Sequence, residues 1–175
     1  MFQEHLVSVV VPAHNEELLI ESVVAGMPAF VDHIIVVDDA SNDRTPEKLA
    51  ALAARNGGRL MVIRHEKNQG VGAAIVTGYE AALRIAAQKH LIAVMAGDAQ
   101  MDANDLPRLL APCAVGEVDY AKGNRLITGE AWRLIPRTRY IGNAILSLLT
   151  KIASGYWHVA DSQTGYTVIT AEALA

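Results

Sequence analysis

The chain is 175 residues long, 51% hydrophobic and 19% charged, a composition that can bury the core of about one domain and is not that of a disordered chain. Fifteen Lys and Arg against nineteen Asp and Glu give a formal charge of −4, which argues against a general nucleic-acid binder, because phosphate backbone calls for a basic surface. The single cysteine, Cys113, excludes a disulfide framework and a cysteine zinc site, and is compatible with a reducing compartment.

Short apolar runs recur along the chain: Leu6–Val11, His33–Val37, Arg59–Ile63, Leu91–Met95 and Val118–Ala121. Helix-like segments lie between them. Asn15 is expected to cap a helix carrying Glu16 and Glu17 in its first turn. Thr45-Pro46-Glu47 reads as a cap, a first-position proline and an acid, with Gly57 and Gly58 ending that helix. An Ala-rich helix is expected over Gly70–Lys89, and another opens at Asn104-Asp105-Leu106. From about Arg139 to Ala153, Ile141, Ile145, Leu148 and Ile152 share one face of an amphipathic helix. Trp157–Ala160 and Tyr166–Ile169 are strand candidates, and Thr170 with Glu172 opens a final helix that has barely begun at Ala175, so the chain is expected to belong to a longer protein. The longest apolar patch, Ile141–Ile152, is broken by Asn143, Ser147, Thr150 and Lys151, short of the roughly 20 apolar residues that span a bilayer. Gln3, Glu4 and His5 before Leu6 do not read as the charged-then-apolar plan of a signal peptide.

This alternation of strand and helix predicts an α/β fold with a buried, mainly parallel sheet. In such sheets ligands bind beyond the carboxyl ends of the strands. The residues at those ends are polar in all five cases: Pro12-Ala13-His14-Asn15-Glu16-Glu17, Asp38-Asp39-Ala40-Ser41-Asn42-Asp43, Asn68-Gln69-Gly70-Val71-Gly72, Gly97-Asp98-Ala99-Gln100-Met101-Asp102 and Lys122-Gly123-Asn124-Arg125. Each loop alone reads as turn chemistry; five at one edge read as a site. Crowded carboxylates at Asp38, Asp39, Asp98 and Asp102 would repel unless a hard cation such as Mg²⁺ or Mn²⁺ relieved them, or unless Asp39 accepted hydrogen bonds from a nucleobase. Arg125 supplies a planar fork suited to phosphate. Together these residues fit a nucleoside diphosphate with a metal.

Other chemistries are poorly served. Gly70-Val71-Gly72 begins a dinucleotide fingerprint, but Ile75 holds the third glycine position and the motif follows the third strand, not the first. No phosphate-binding G-x-x-x-x-G-K-[ST] and no G-x-S-x-G nucleophile elbow occur. The six histidines lack metal-ligand spacing, and only His14 sits in a candidate ligand loop.

Val9-Val10-Val11-Pro12-Ala13-His14-Asn15-Glu16-Glu17 followed by Val36-Val37-Asp38-Asp39-Ala40-Ser41-Asn42-Asp43-Arg44-Thr45 resembles the opening of a family 2 glycosyltransferase with the GT-A fold, a Rossmann-like three-layer α/β/α sandwich. Asn68–Ala74, Gly97-Asp98-Ala99-Gln100, Gly123-Asn124-Arg125 and Asp161-Ser162-Gln163-Thr164-Gly165-Tyr166 resemble the branch with dolichyl-phosphate mannose synthases and polyprenyl-phosphate glycosyltransferases. The resemblance implies a single catalytic domain over 1–175, with 1–105 the nucleotide-binding half and 106–175 the acceptor-side half. It implies that Pro12, Ala13, Asn15, Glu16, Asp38, Asp39, Asn68, Gly70 and Asp98 bind the nucleotide sugar, and that Asp98 and Gln100 hold Mg²⁺ or Mn²⁺. Arg125 would face the diphosphate or the acceptor phosphate, with Asp161 and Gln163 beside sugar and acceptor. Asp161 is the candidate base for a hydroxyl acceptor, whereas a polyprenyl phosphate is already an anionic nucleophile; Asp161-Ser162 reads almost as well as a turn.

One departure stands out. The family usually carries Asp-x-Asp at the metal loop, and aligned on Gln100 the first of these positions is Ala96. The implied activity is inverting, metal-dependent sugar transfer from a GDP- or UDP-sugar, with a non-catalytic nucleotide-sugar-binding module as the rival. A sugar-nucleotidyl transferase fits less well, since the first loop is acidic rather than glycine-rich and basic. Arg133, Arg137 and Arg139 precede the amphipathic helix and suit an acceptor phosphate, an anionic membrane surface or plain solvent. A cytoplasmic location is implied, with membrane contact through chain beyond residue 175; base, sugar, acceptor and oligomeric state stay open.

Overall fold

A computed structural model describes residues 1–123 and 165–175 of the chain. Arg125, Asp161, Gln163, the arginines 133, 137 and 139, the helix expected over 139–153 and the strand expected over 157–160 lie outside the described residues. The chain divides into two compact units, Met1–Ala121 with Tyr166–Ala175, and Lys122–Gly165.

Among the described residues, the elements run β1 (Leu6–Ala13), α1 (Ile20–Ala25), β2 (His33–Asp38), α2 (Thr45–Arg55), β3 (Leu60–Arg64), α3 (Val71–Leu83), β4 (His90–Val94), a 3₁₀ turn (Ala103–Asp105), α4 (Leu106–Ala114), β5 (Tyr120–Lys122), β6 (Thr167–Thr170) and α5 (Ala171–Leu174). The sheet order is β3-β2-β1-β4-β6-β5. β3, β2, β1 and β4 are parallel, and β6 pairs antiparallel with β4, Ala93 opposite Val168. The expected mainly parallel α/β sheet is therefore present.

Alternation along the strands sorts the core into two faces. Val7, Val9 and Val11 of β1 pack with Ile20, Val23 and Val24 of α1, Leu49 of α2 and Leu106 and Leu110 of α4. Val10, Ile35, Val37, Ile92 and Val94 pack against Ala74, Ala81 and Ala82 of α3. Covering both faces is what lets these strands be near-continuous runs of Val and Ile. On the second face α3 rides directly over β1: a Cβ on Gly78 would collide with the Val10 side chain. That contact sets how closely the middle of α3 approaches β1.

Two expected caps are corrected. Asn15 does not cap α1, which begins only at Ile20; Asn15 has φ 58° and its side-chain oxygen accepts from the Asn42 N–H at 2.8 Å. Thr45 is the first residue of α2 rather than its cap, because its hydroxyl accepts from the Glu16 N–H at 2.8 Å while Asp43 accepts from the Thr45 N–H at 2.9 Å. In both cases long-range hydrogen bonds between the loops displaced local capping. The helix expected over Gly70–Lys89 stops at Leu83, where the Ile85 N–H closes a tight turn onto Ala82. The Thr170 cap is as expected, its hydroxyl accepting from the Ala173 N–H at 3.3 Å.

At the opposite, amino end of the sheet, buried Ser8 and His90 share a 2.7 Å hydrogen bond. Burial, reinforced by the charge of His33 and only partly offset by Asp32, pushes the His90 pKa below its ordinary 6.5. A histidine whose folded pKa is depressed favours folding above the unfolded pKa and loses that contribution as pH falls through the folded value. Thermal unfolding measured from about pH 8 to about pH 5 is expected to show a Tm that falls below pH 6.5, and His90→Gln is expected to remove that fall.

Candidate active site

Strand order reverses beside β1: β2 and β3 lie on one side, and the chain then crosses to β4 on the other. Such a switch point opens a crevice at the carboxyl ends of the two central strands. A cavity of about 310 Å³ lies there. Pro12, Ala13, His14 and Glu16 line it from the end of β1, Asp39 from the loop after β2, Asn68 and Gly70 from the β3–α3 connection, Val71 and Ala74 from the start of α3, and Ala96, Gly97 and Asp98 from the loop after β4. The structure thus brings together seven of the residues expected to bind a nucleotide sugar: Pro12, Ala13, Glu16, Asp39, Asn68, Gly70 and Asp98.

Asn15 and Asp38 are placed differently. The first two loops are laced to each other: the Asn15 N–H donates to Ser41 Oγ at 2.9 Å, the Glu17 N–H to Asp43 at 3.0 Å and the Arg44 N–H to Glu17 at 3.0 Å. Asn15 belongs to this lacing rather than to the cavity wall. Burial pushes the Asp43 carboxyl up, but hydrogen bonds from Thr45 and Glu17 outweigh it and hold the group below the usual carboxylate range. Asp38 is buried, accepts from the Ser41 N–H at 3.0 Å, and has Arg64 Nε 3.2 Å from its other oxygen. That pair is an ion pair without aligned hydrogen-bond geometry, since the oxygen Oδ2 has no hydrogen-bond partner.

Asp39 carries the most local structure. Only 3% exposed, its Oδ1 accepts from His65 Nδ1 at 2.7 Å and from the Gln69 N–H at 2.9 Å, and its Oδ2 accepts from the Gly70 N–H at 2.7 Å. Burial pushes its pKa up; the bonds from Gln69, His65 and Gly70 more than offset this and hold the carboxyl below its ordinary value. Gly70 has φ 89° and ψ 159°, a region open essentially to glycine alone. A Cβ there would meet nothing within 4 Å, so backbone conformation, not crowding by protein, requires the glycine. His14 ties the loops above, its Nδ1 donating to the Asp39 carbonyl at 2.8 Å.

Left-handed backbone at Asn15, Ala40 and Ala99 occurs in the loops after β1, β2 and β4, all at this edge. Non-glycine residues in that region are uncommon and concentrate where structure is held for a purpose.

Glu16 and Asp98 face the same cavity. Burial raises the Glu16 pKa, and the negative charges of Asp98 and Asp43 raise it further, against a smaller lowering by His14. Hard carboxylate oxygens under mutual repulsion are the donor chemistry a divalent cation relieves. Asp98 Oδ1 also accepts from the Gln100 N–H at 3.1 Å, while Gln100 lines a second hollow with Ser22, Gly26, Met101 and Asp102. Asp102 caps the 3₁₀ turn, accepting from the Asn104 N–H at 2.9 Å. Among the described residues no group of three or more His, Cys, Asp or Glu could by itself hold a metal. Glu16 and Asp98 are hard oxygen donors that line this cavity, a donor chemistry that suits a divalent cation such as Mg²⁺ or Mn²⁺.

The residue that sequence reasoning passed over is His65. It follows β3 directly, is 8% exposed, and links Asp39 to Thr77 of α3, with Nε2 3.0 Å from Thr77 Oγ1. Its signal was weak: one histidine at a strand end, indistinguishable in sequence from a solvated turn residue.

An open sheet with a nucleotide-sized crevice at its switch point, and solved neighbours of the same architecture, define a GT-A fold. The glucosyl-3-phosphoglycerate synthase of Mycobacterium tuberculosis, solved with Mn²⁺, UDP and glucosyl-3-phosphoglycerate, superposes with a TM-score of 0.67 at 22% identity, over 96% of this chain and 57% of that one. The sequence model of glycosyl transferase family 2 matches residues 8–175, and the chain belongs to that family. It is 30% identical to the UDP-N-acetylglucosamine–dolichyl-phosphate N-acetylglucosaminyltransferase of Methanococcus voltae, over 98% of this chain and 72% of that protein. It is 32% identical to an undecaprenyl-phosphate 4-deoxy-4-formamido-L-arabinose transferase of Pseudomonas paraeruginosa, over 75% of this chain and 39% of that protein. The chain thus spans between two fifths and three quarters of these three proteins. No helix among the described residues is long and apolar enough to cross a membrane.

Proposed function

We propose that this domain binds a UDP- or GDP-sugar in the cavity at the β1/β4 switch point and transfers the sugar, with inversion, to a polyprenyl or dolichyl phosphate. The observation that carries this reading is the convergence of four strand-end loops on one cavity lined by Asp39, Asn68, Gly70 and Asp98. The names of the M. voltae and P. paraeruginosa relatives support the acceptor class.

In this reading Pro12, Ala13, Glu16, Asp39, Asn68 and Gly70 hold the nucleoside, with Asn15 and Asp38 keeping the loops that carry them in place. Asp98, with Gln100 beside it, holds Mg²⁺ or Mn²⁺ on the diphosphate, and the cation when bound supplies charge neutralisation to the leaving group. Arg125 adds a donor fork to the same phosphates, and Asp161 and Gln163 orient sugar and acceptor. A phosphate acceptor attacks as the anion it already is, so alignment of donor and acceptor supplies much of the rate. Residues 1–105 form the nucleotide side of a single catalytic domain and 106–175 the acceptor side. Ala96 favours a second reading, a module that holds a nucleotide sugar without turnover.

Calorimetric titration with UDP, GDP and their sugars, with and without Mn²⁺, tests the donor site: absence of binding to all of them sinks the reading. Radiolabelled sugar transfer to polyprenyl phosphate then separates enzyme from module. Binding without transfer selects the module.

A further inference from the structure

We propose that His65 is a positioning residue that sets base selectivity: by occupying one acceptor position of Asp39, it leaves the carboxylate able to take a single N–H donor and so favours uracil over guanine. The inference rests on the nucleoside-binding reading of the cavity.

A carboxylate offers about four acceptor positions, two on each oxygen. On Asp39, Oδ1 is filled by His65 Nδ1 and the Gln69 N–H, and Oδ2 holds the Gly70 N–H. One position remains, on Oδ2, and Asp39 lines the cavity. Uracil presents one N–H, at N3, between two carbonyls. Guanine presents two adjacent donors, N1–H and the N2 amino group, which a carboxylate satisfies with one free position on each oxygen. Asp39 has no free position on Oδ1, so guanine would bury an unpaired donor, a costly outcome.

The selectivity depends on the histidine tautomer, and the structure dictates it. A carboxylate at 2.7 Å only accepts, so Nδ1 carries the proton. Nε2 shares a 3.0 Å hydrogen bond with the Thr77 hydroxyl, which anchors the ring to α3. The Gly78–Val10 contact one residue further on holds that helix against β1.

The test compares UDP and GDP affinity in the wild-type chain, in His65→Phe and in His65→Asn. The wild type is expected to prefer UDP. His65→Phe removes the donor to Asp39; UDP affinity is expected to fall about tenfold and the UDP-to-GDP ratio to shrink by a similar factor. His65→Asn puts an amide N–H where Nδ1–H was and is expected to keep the wild-type ratio. A purely structural role would lower both affinities together and leave the ratio alone. Imidazole ¹⁵N shifts of the wild-type protein give a reading independent of any variant's folding, with the Nδ1–H form expected. An Nε2–H form, a wild type that binds GDP as tightly as UDP, or an unchanged ratio in a folded His65→Phe overturns the inference. A wild type that binds neither nucleotide overturns the donor-site reading beneath it.

Discussion

Asp39→Asn is expected to lower UDP affinity by about 100-fold and to destabilise the fold by about 1–3 kcal/mol, the usual penalty for leaving a buried polar group unsatisfied. The carboxylate accepts from three donors at once, His65, Gln69 and Gly70, using both of its oxygens. An amide has one accepting oxygen. Whichever way the substituted side chain turns its amide, an NH₂ group faces either the Gly70 N–H or the His65 and Gln69 pair, and donor meets donor. The Gln69 and Gly70 N–H groups tie the loop that carries Asn68 and Gly70 to this carboxylate, so the same substitution should loosen that side of the cavity. Urea denaturation and nucleotide titration of one protein sample separate the two effects. A variant with wild-type stability and weak UDP binding would assign Asp39 to the ligand alone, and one with both intact would remove it from the site.

The loss should also be reachable by acid. Hydrogen bonding holds Asp39 and Asp43 below their ordinary 3.8, so each favours folding above that pH and loses its contribution as pH falls through the folded value. This window lies well below the one assigned to His90, and Asp39→Asn should flatten only the lower of the two.

The sheet was legible because Val9-Val10-Val11 and Ile34-Ile35-Val36-Val37 are short β-branched runs of the kind that suit a strand covered on both faces. The site was legible because polar residues followed each run. What the residues did not disclose is which of those polar groups face the ligand and which face one another. Asn15 and Thr45 have the composition of helix caps, and local rules assign them so. Their partners, Asn42 and Glu16, lie 27 and 29 positions away, a separation no local pattern encodes. Gly70 was expected to bind the nucleotide sugar, and its φ of 89° adds a requirement for glycine internal to the chain. His65 escaped because its role exists only once β2, β3 and α3 meet.

Asp98→Asn is expected to abolish the Mn²⁺ dependence of UDP binding and to reduce sugar transfer by about 100-fold or more, the scale on which loss of one charge-stabilising group acts. Ala96 leaves the metal loop one carboxylate short of the usual pattern. With two acids, losing one would halve the set; here Asp98 is the carboxylate that this loop presents to the cavity. Glu16 lies across the same space, its pKa raised by burial first and then by the negative charges of Asp98 and Asp43. The isosteric amide keeps an oxygen that can accept from the Gln100 N–H, so the turn at Gly97–Gln100 should survive and the melting temperature should change little. Ala96→Asp makes the complementary case. Restoring the missing carboxylate should tighten Mn²⁺-dependent UDP binding while leaving metal-free binding alone, because Asp39, Asn68 and Gly70 are untouched. Identical titrations of wild type and Asp98→Asn with and without Mn²⁺ would remove Asp98 from the metal loop and leave the cavity a nucleoside site alone.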